Sequence, residues 1–580
     1  MYKIEKKQTQ QMIITGVAFT IIILFAVICE FITIWLPRYP DPFGYLANAA
    51  YFTSFKFNWS SVVACIQRLY AGGYSLILVP LMCIAKDYQT LSILTWGINL
   101  IFISILFYFL NKICDYILCD ISYIYKTVLV LVICISPQCF YNLYTVTPEI
   151  ACMAIFSAIT YLVCKIERED SNRIYIIIGA ILSCIMLLFH SRFIVIFLAY
   201  NLFIIISINK KKIDIISAIM AVVICIGGFI LYKYYTNFLK INVFSIINSI
   251  GGNTIEAQSS KIRYLLSREG LWSFVSNIIT QLFYIIVITY GMCIFLIMSL
   301  LKNIKYFFCR KSIEADKVFV SLCFIGLLVI SSFFLIKPSR IDHIVYGRYI
   351  ESVVPVGIFF ALSEATKNKN EIVKKGFQFS ICLCIFAPYL IVNRISDLSL
   401  DKIIVRTALG ISLFYDLISE NINAFIVVGK LAALLIGFTM FLFCYQKKYS
   451  KKILLVLVLI CQIFSTKSVM EREIDENRNI RMPYLQLQEI FDYQDVDIYV
   501  IDGQGGYNYL VQLMAFEKNV KVITLDEVDA IIQGNEAYFI YDQYKKYKGN
   551  NSKKINNIGV KGYIWVGGND YINYLQELGY

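Results

Sequence analysis

Apolar runs long enough to cross a lipid bilayer recur along most of this chain, and about 20 such residues suffice for one helical crossing. The 580 residues are 58% hydrophobic and only 16% charged, a balance that water-soluble domains of this size do not show. The sequence therefore predicts a multi-span α-helical membrane protein, with the bilayer as its first partner.

The first run, 12–36, is too long for a signal-peptide core and is followed by no small-residue cleavage pattern, so it reads as a retained span. The lysines of MYKIEKK before it place the N-terminus in the cytoplasm by the positive-inside rule. Further spans are expected at 90–111, 126–141, 148–165, 173–189, 192–208, 213–233, 277–301, 317–336, 352–366, 376–393, 424–445 and 452–467. That makes thirteen, with the C-terminus outside. Four of the loops this assigns to the cytoplasm are clearly basic, INKKKID, LKNIKYFFCRKS, KNKNEIVKK and YQKKYSKK, while CKIEREDSNR balances its basic residues with acidic ones. Three outer loops are long, at 37–89, 234–276 and 394–423. The formal charge of +13 follows from these loops, and no nucleic-acid partner is expected.

Composition changes near residue 468. The segment 1–467 carries a net charge of +19 and 468–580 carries −6. The second segment alternates short β-type runs (DIYVI, KVITL, AYFIYD, YIWVG) with helical stretches, which predicts a small extracytoplasmic α/β domain. Its glycine-rich IDGQGGYN is similar to a dinucleotide fingerprint, but Asn508 replaces the last glycine and the stretch reads as a structural turn. All 18 cysteines fall between Cys29 and Cys461, mostly inside apolar runs, and read as small buried hydrophobes. No internal repeat of the transporter kind is visible.

Ionisable side chains near hydrocarbon are costly and mark function. Asp41 stands in RYPDPFGYLANAAYF and Arg68 in IQRLYAGGYSLILVPL. Glu149 ends YTVTPE, and His190 and Arg192 lie in FHSRF. Lys337, Arg340, Asp342, His343, Arg348 and Glu351 crowd KPSRIDHIVYGRYIESVVP. All of these map to the extracytoplasmic face. Each has a plainer reading: a loop aspartate at Asp41, a helix-capping carboxylate at Glu149, an arginine snorkelling to headgroups at Arg192, an interfacial aromatic belt at YGRY. Four turns that each bring a carboxylate, an arginine or both to one membrane level favour a common site.

A retained first span, a long outer loop bearing an aspartate and a short apolar helix before the second span resemble the GT-C superfamily of polyprenyl-phosphate-sugar glycosyltransferases, which includes protein O-mannosyltransferases and aminoarabinose transferases. RYPDPFGYLANAAYF, YAGGYSLILVPL, TVTPE, FHSR and YGRYIE carry the resemblance, over roughly the first 370 residues. It implies transfer of a sugar from a polyprenyl-phosphate donor to an acceptor hydroxyl on the outer side of the cell membrane. In that scheme Asp41 is the general base and Glu149 a second carboxylate that positions the acceptor or relays a proton. Arg348, Arg192 and His343 form a phosphate clamp, with Arg68, His190, Arg340, Asp342 and Glu351 completing the lipid-phosphate and sugar site. The family's acidic pair is absent, since Pro42 follows Asp41, and there is no Asp-x-Asp. No cofactor is expected, and a divalent metal is not indicated. A lipid-linked polysaccharide ligase or polymerase, or a transporter or flippase, are the competing readings.

Overall fold

The computed structural model describes residues 2–30, 36–37, 40–66, 69–169, 173–244, 261–336, 344–395, 408–414, 423–445, 450–502, 507–534, 536–547, 553–555, 560 and 562–580. Among them, ten helices are long and apolar enough to cross a membrane, or eleven if one bent pair counts as a single span. Arg173–Phe189 is apolar but shorter, with 17 residues, and Val354–Lys367 has 14.

Two expected spans are broken, each for a local backbone reason. The run 126–141 forms Tyr123–Cys134 and then turns by 56° into a second helical piece beginning at Pro137. Proline suits a first helical turn and disfavours continuing the helix that precedes it. The run 277–301 is not one helix. Arg268–Ile288 ends, Tyr290 (φ 53°) and Gly291 (φ 83°) adopt left-handed backbone, and Ile294–Phe308 follows. The Gly291 N–H closes the end by donating to Ile286 O at 2.8 Å, the six-to-one bond of a glycine-terminated helix. Hydropathy does not drop across this turn, so periodicity could not reveal it. Both pieces pack against Ala315–Phe334 and Asn370–Ile395.

After the first helix, Tyr2–Glu30, the loop to the next long helix folds into Pro40–Phe52, Ser60–Ile66 and Gly73–Ile84. Asp87 then caps Tyr88–Ile117 by accepting from Thr90 N at 2.7 Å, which satisfies one of the orphan donors of a helix start.

The helix Ser450–Glu476 passes position 468 unbroken, so the change in composition is not a break in structure. A π-helical turn, Asn477–Arg481, and a 3₁₀ turn, Met482–Leu485, lead into the sheet region. Strands β1 (Asp497–Ile501), β2 (Val520–Ile523), β3 (Tyr538–Asp542), β4 (Lys553–Ile555) and β5 (Tyr563–Gly567) form one sheet in the order β2-β1-β3-β5-β4. β1 runs parallel to β2 and β3, while β5 is antiparallel to β3 and β4. The predicted β runs and helices are found, including Asn508–Met514 after β1. Residues 503–506 of the glycine-rich turn lie outside the described residues.

Candidate active site

Asp41 lies in the first turn of Pro40–Phe52. The two prolines around it are therefore part of a helix start, where a missing N–H costs nothing, and the carboxylate sits where the helix dipole favours negative charge. Its Oδ1 accepts from the Tyr70 hydroxyl at 3.1 Å, and its Oδ2 accepts from Arg348 NH1 at 2.6 Å. Tyr70 is fixed in turn. Its ring fills the space over Gly44, where a Cβ would meet it at 2.2 Å, and its carbonyl accepts from Asn48 Nδ2 at 3.3 Å. Tyr45 stands edge-on to both Tyr70 and Tyr74.

Glu149 opens the helix Glu149–Arg168, with Pro148 at the cap position. The turn before it is held by Asn99, whose Nδ2 donates to Leu143 O at 3.0 Å and Thr145 O at 3.1 Å. The Glu149 carboxylate does more than complement a dipole: Oε1 accepts from Arg348 Nε at 2.6 Å and lies 3.7 Å from Arg192 NH2.

Arg192 sits in the 3₁₀ turn Ser191–Phe193, whose cap is His190, with Nδ1 accepting from Arg192 N at 3.2 Å. The guanidinium lies 4.8 Å from the ring centres of both Phe193 and Tyr349, a stacking that arginine favours. Arg192 is 1% exposed, and its Nε and NH2 have no hydrogen-bond partner. Desolvation, and then the Arg192 charge, hold the His190 imidazole well below its ordinary pKa. His190 forms this turn, and its ring lies 5.8 Å from that of Tyr349.

Arg348 and Glu351 come from the turn that precedes Val354–Lys367. Gly347 O accepts from the N–H groups of Ile350 and Glu351 at 2.8 and 3.1 Å. Glu351 is buried and accepts from the Tyr284 hydroxyl, which in turn accepts from Gly410 N at 3.1 Å. Burial, reinforced by the nearby Glu149 charge, pushes the Glu351 carboxyl up to about 7.

Five expected residues, Asp41, Glu149, Arg192, Arg348 and Glu351, therefore meet, with His190 beside them. Arg68, Arg340, Asp342 and His343 lie outside the described residues, as does Lys337. Tyr70, Tyr284 and Tyr349 were not singled out from sequence, because tyrosine at a membrane face is common; only their ring and hydroxyl contacts distinguish them. Accessibility grades the charged group: the side chains are 26% exposed at Asp41, 13% at Arg348, 2% at Glu149 and 1% at Arg192. Asp41 is the most exposed of the four.

A cavity of about 500 Å³ adjoins the cluster. Glu351, Gln138 and Ser136 contribute to its wall, and Leu129, Ile358 and Leu455 are among its apolar lining. Among the described residues, no group of three or more His, Cys, Asp and Glu side chains is placed to hold a metal ion.

Membrane-length helices, short helices folded between the first two of them and a terminal sheet region make up an architecture shared with solved structures. Among solved structures the chain is similar to ArnT from Cupriavidus metallidurans bound to undecaprenyl phosphate, at 8% identity and a TM-score of 0.51, over 95% of this chain and 98% of that one. The same protein in the apo state aligns at 8% identity with a TM-score of 0.52, over 95% and 98% of the two chains. At that identity the likeness establishes the fold. No protein-family model matches the chain, and no curated protein does.

Proposed function

We propose that this protein is an integral membrane glycosyltransferase that moves a sugar from a polyprenyl-phosphate donor to an acceptor hydroxyl at the extracytoplasmic face. The observation that carries the reading is Arg192, buried beside Glu149 with two nitrogens that have no hydrogen-bond partner, next to an Arg348 that bridges two carboxylates. Buried guanidinium donors call for an anion, and a phosphate matches their planar fork. The GT-C fold and the apolar cavity beside Glu351 support a donor with a lipid chain.

In this scheme the acceptor oxygen attacks the anomeric carbon and loses its proton to Asp41. The bond from that carbon to the phosphate oxygen breaks, and the electron pair leaves with the polyprenyl phosphate, whose charge Arg192 and Arg348 stabilise. Glu149, deeper than Asp41, holds both arginines in place instead of touching the acceptor. Arg348 NH1 donates to Asp41 Oδ2 at 2.6 Å. A donor phosphate competes for Arg348 and so releases the base as it binds.

The test is sugar transfer by the purified protein in liposomes, supplied with labelled polyprenyl-phosphate sugars and extracted cell-envelope acceptors. A covalent, donor-dependent product is expected. Movement of lipid without any such product would overturn the reading in favour of transport.

A further inference from the structure

The chain entering the Asp41 turn is gripped from the far end of the sequence. Leu36 is buried, and both of its backbone groups are taken by side chains. Its N–H donates to Asn477 Oδ1 at 3.3 Å, and its carbonyl accepts from Arg481 NH1 at 2.8 Å. The next carbonyl, of Pro37, accepts from the Tyr509 hydroxyl at 3.4 Å. All three gripping residues are buried, with exposures of 0% for Asn477, 3% for Arg481 and 4% for Tyr509. Arg481 is itself oriented by Glu473, through NH2 to the backbone O at 3.1 Å and to Oε2 at 3.3 Å. Asn477 and Arg481 are the two ends of the π-helical turn, a rare geometry that often re-aims side chains at functional sites.

The grip continues beyond Asp41. Phe43 stacks on Trp59 with ring centres 5.2 Å apart and also meets Tyr509 at 6.2 Å. Trp59 Nε1 donates to Phe516 O at 2.8 Å, and Val522 N donates to Ser61 Oγ at 2.8 Å. Asp41 thus lies between two points fixed by the C-terminal region. A carboxylate that must sit within a fraction of an ångström of its target gains from such bracing.

We propose that Asn477, Arg481 and Tyr509 are positioning residues for Asp41, and that the C-terminal sheet region serves as a backbone clamp on the helix that bears it. This rests on the reading of Asp41 as the base. Arg481→Lys keeps the charge against Glu473 but loses the planar fork, and Tyr509→Phe removes a single hydroxyl, so both variants retain the packing. Amide exchange in residues 43–52 is expected to quicken in each, and transfer at saturating donor to fall about tenfold, which is about 1.4 kcal/mol, with donor KM unchanged. In an Asp41→Asn background the same changes are expected to cost nothing further, because coupled groups are not additive.

Unchanged exchange overturns the clamp, as does quicker exchange with full turnover, or an equal loss in both backgrounds. A wild-type protein that transfers no sugar counts against the functional reading instead, and the exchange measurement still decides whether the clamp exists.

Discussion

Arg348 and Glu149 lie 199 positions apart in the chain, yet Nε of one meets Oε1 of the other at 2.6 Å. The same guanidinium reaches Asp41, 307 positions away, through NH1 at 2.6 Å. One arginine therefore ties the helix Pro40–Phe52 to the start of Glu149–Arg168, and its removal leaves Asp41 without its cation and Glu149 with Arg192 alone.

Arg348→Ala is expected to lower transfer by roughly thirtyfold to several thousandfold, since truncating one partner of a buried charge pair costs about 2–5 kcal/mol. Arg348→Lys should restore only part of this, because an ammonium cannot meet both carboxylates with a planar fork. Single-turnover transfer from labelled donor measures both.

Asp41→Asn should reduce kcat by about 10²–10⁴-fold, the usual contribution of a positioned base, while tightening donor binding, because the phosphate no longer competes with a carboxylate for Arg348. Tyr70→Phe, which removes the hydroxyl on Oδ1, should cost about tenfold, or about 1.4 kcal/mol. Steady-state kinetics at varied donor and acceptor separate kcat from KM, and a wild-type rate for Asp41→Asn would remove it from the base role.

Gly347→Ala tests the Arg348 turn without touching a charge. A Cβ there would stand 1.9 Å from the Tyr284 ring and 2.7 Å from Glu351 Oε1, so the backbone must shift. Overpacking of this kind costs about 1–3 kcal/mol. A lower melting temperature in detergent and a loss of transfer are expected together.

Glu351 makes stability depend on pH. Its folded-state pKa of about 7 lies above the ordinary 4.5, so the folded protein holds a proton that the unfolded chain has already lost. The contribution is complete below pH 4.5 and falls as pH rises to 7, by about 3 kcal/mol at most. Melting temperatures between pH 5 and 8 should decline for wild type and stay flatter for Glu351→Gln.

Ile358 lines the cavity beside Glu351. Ile358→Trp should raise the KM for donors with long prenyl chains and leave short-chain donors unaffected. Equal behaviour of both donor types would place the lipid chain elsewhere.

Much of the fold was legible because hydropathy is a local property. Runs of Ile, Leu, Val and Phe located most membrane helices, and the alternating DIYVI and YIWVG runs located strands. The break at Tyr290 and Gly291 escaped because their neighbours remain apolar on both sides. The passage of Ser450–Glu476 beyond position 468 escaped because a helix can continue while its composition turns polar.

The site divides in the same way. Sequence by itself determined that Asp41, Glu149, Arg192, Arg348 and Glu351 sit in turns beside apolar runs, since charge near hydrocarbon stands out in any window. Tertiary structure alone decided that Arg348 answers two carboxylates, that Arg192 stacks on Tyr349 with two nitrogens lacking a hydrogen-bond partner, and that His190 caps the Arg192 turn. It alone brought Arg481 and Asn477 to Leu36. Such pairings join residues hundreds of positions apart, and their energies come from distance, burial and orientation, none of which a linear pattern encodes.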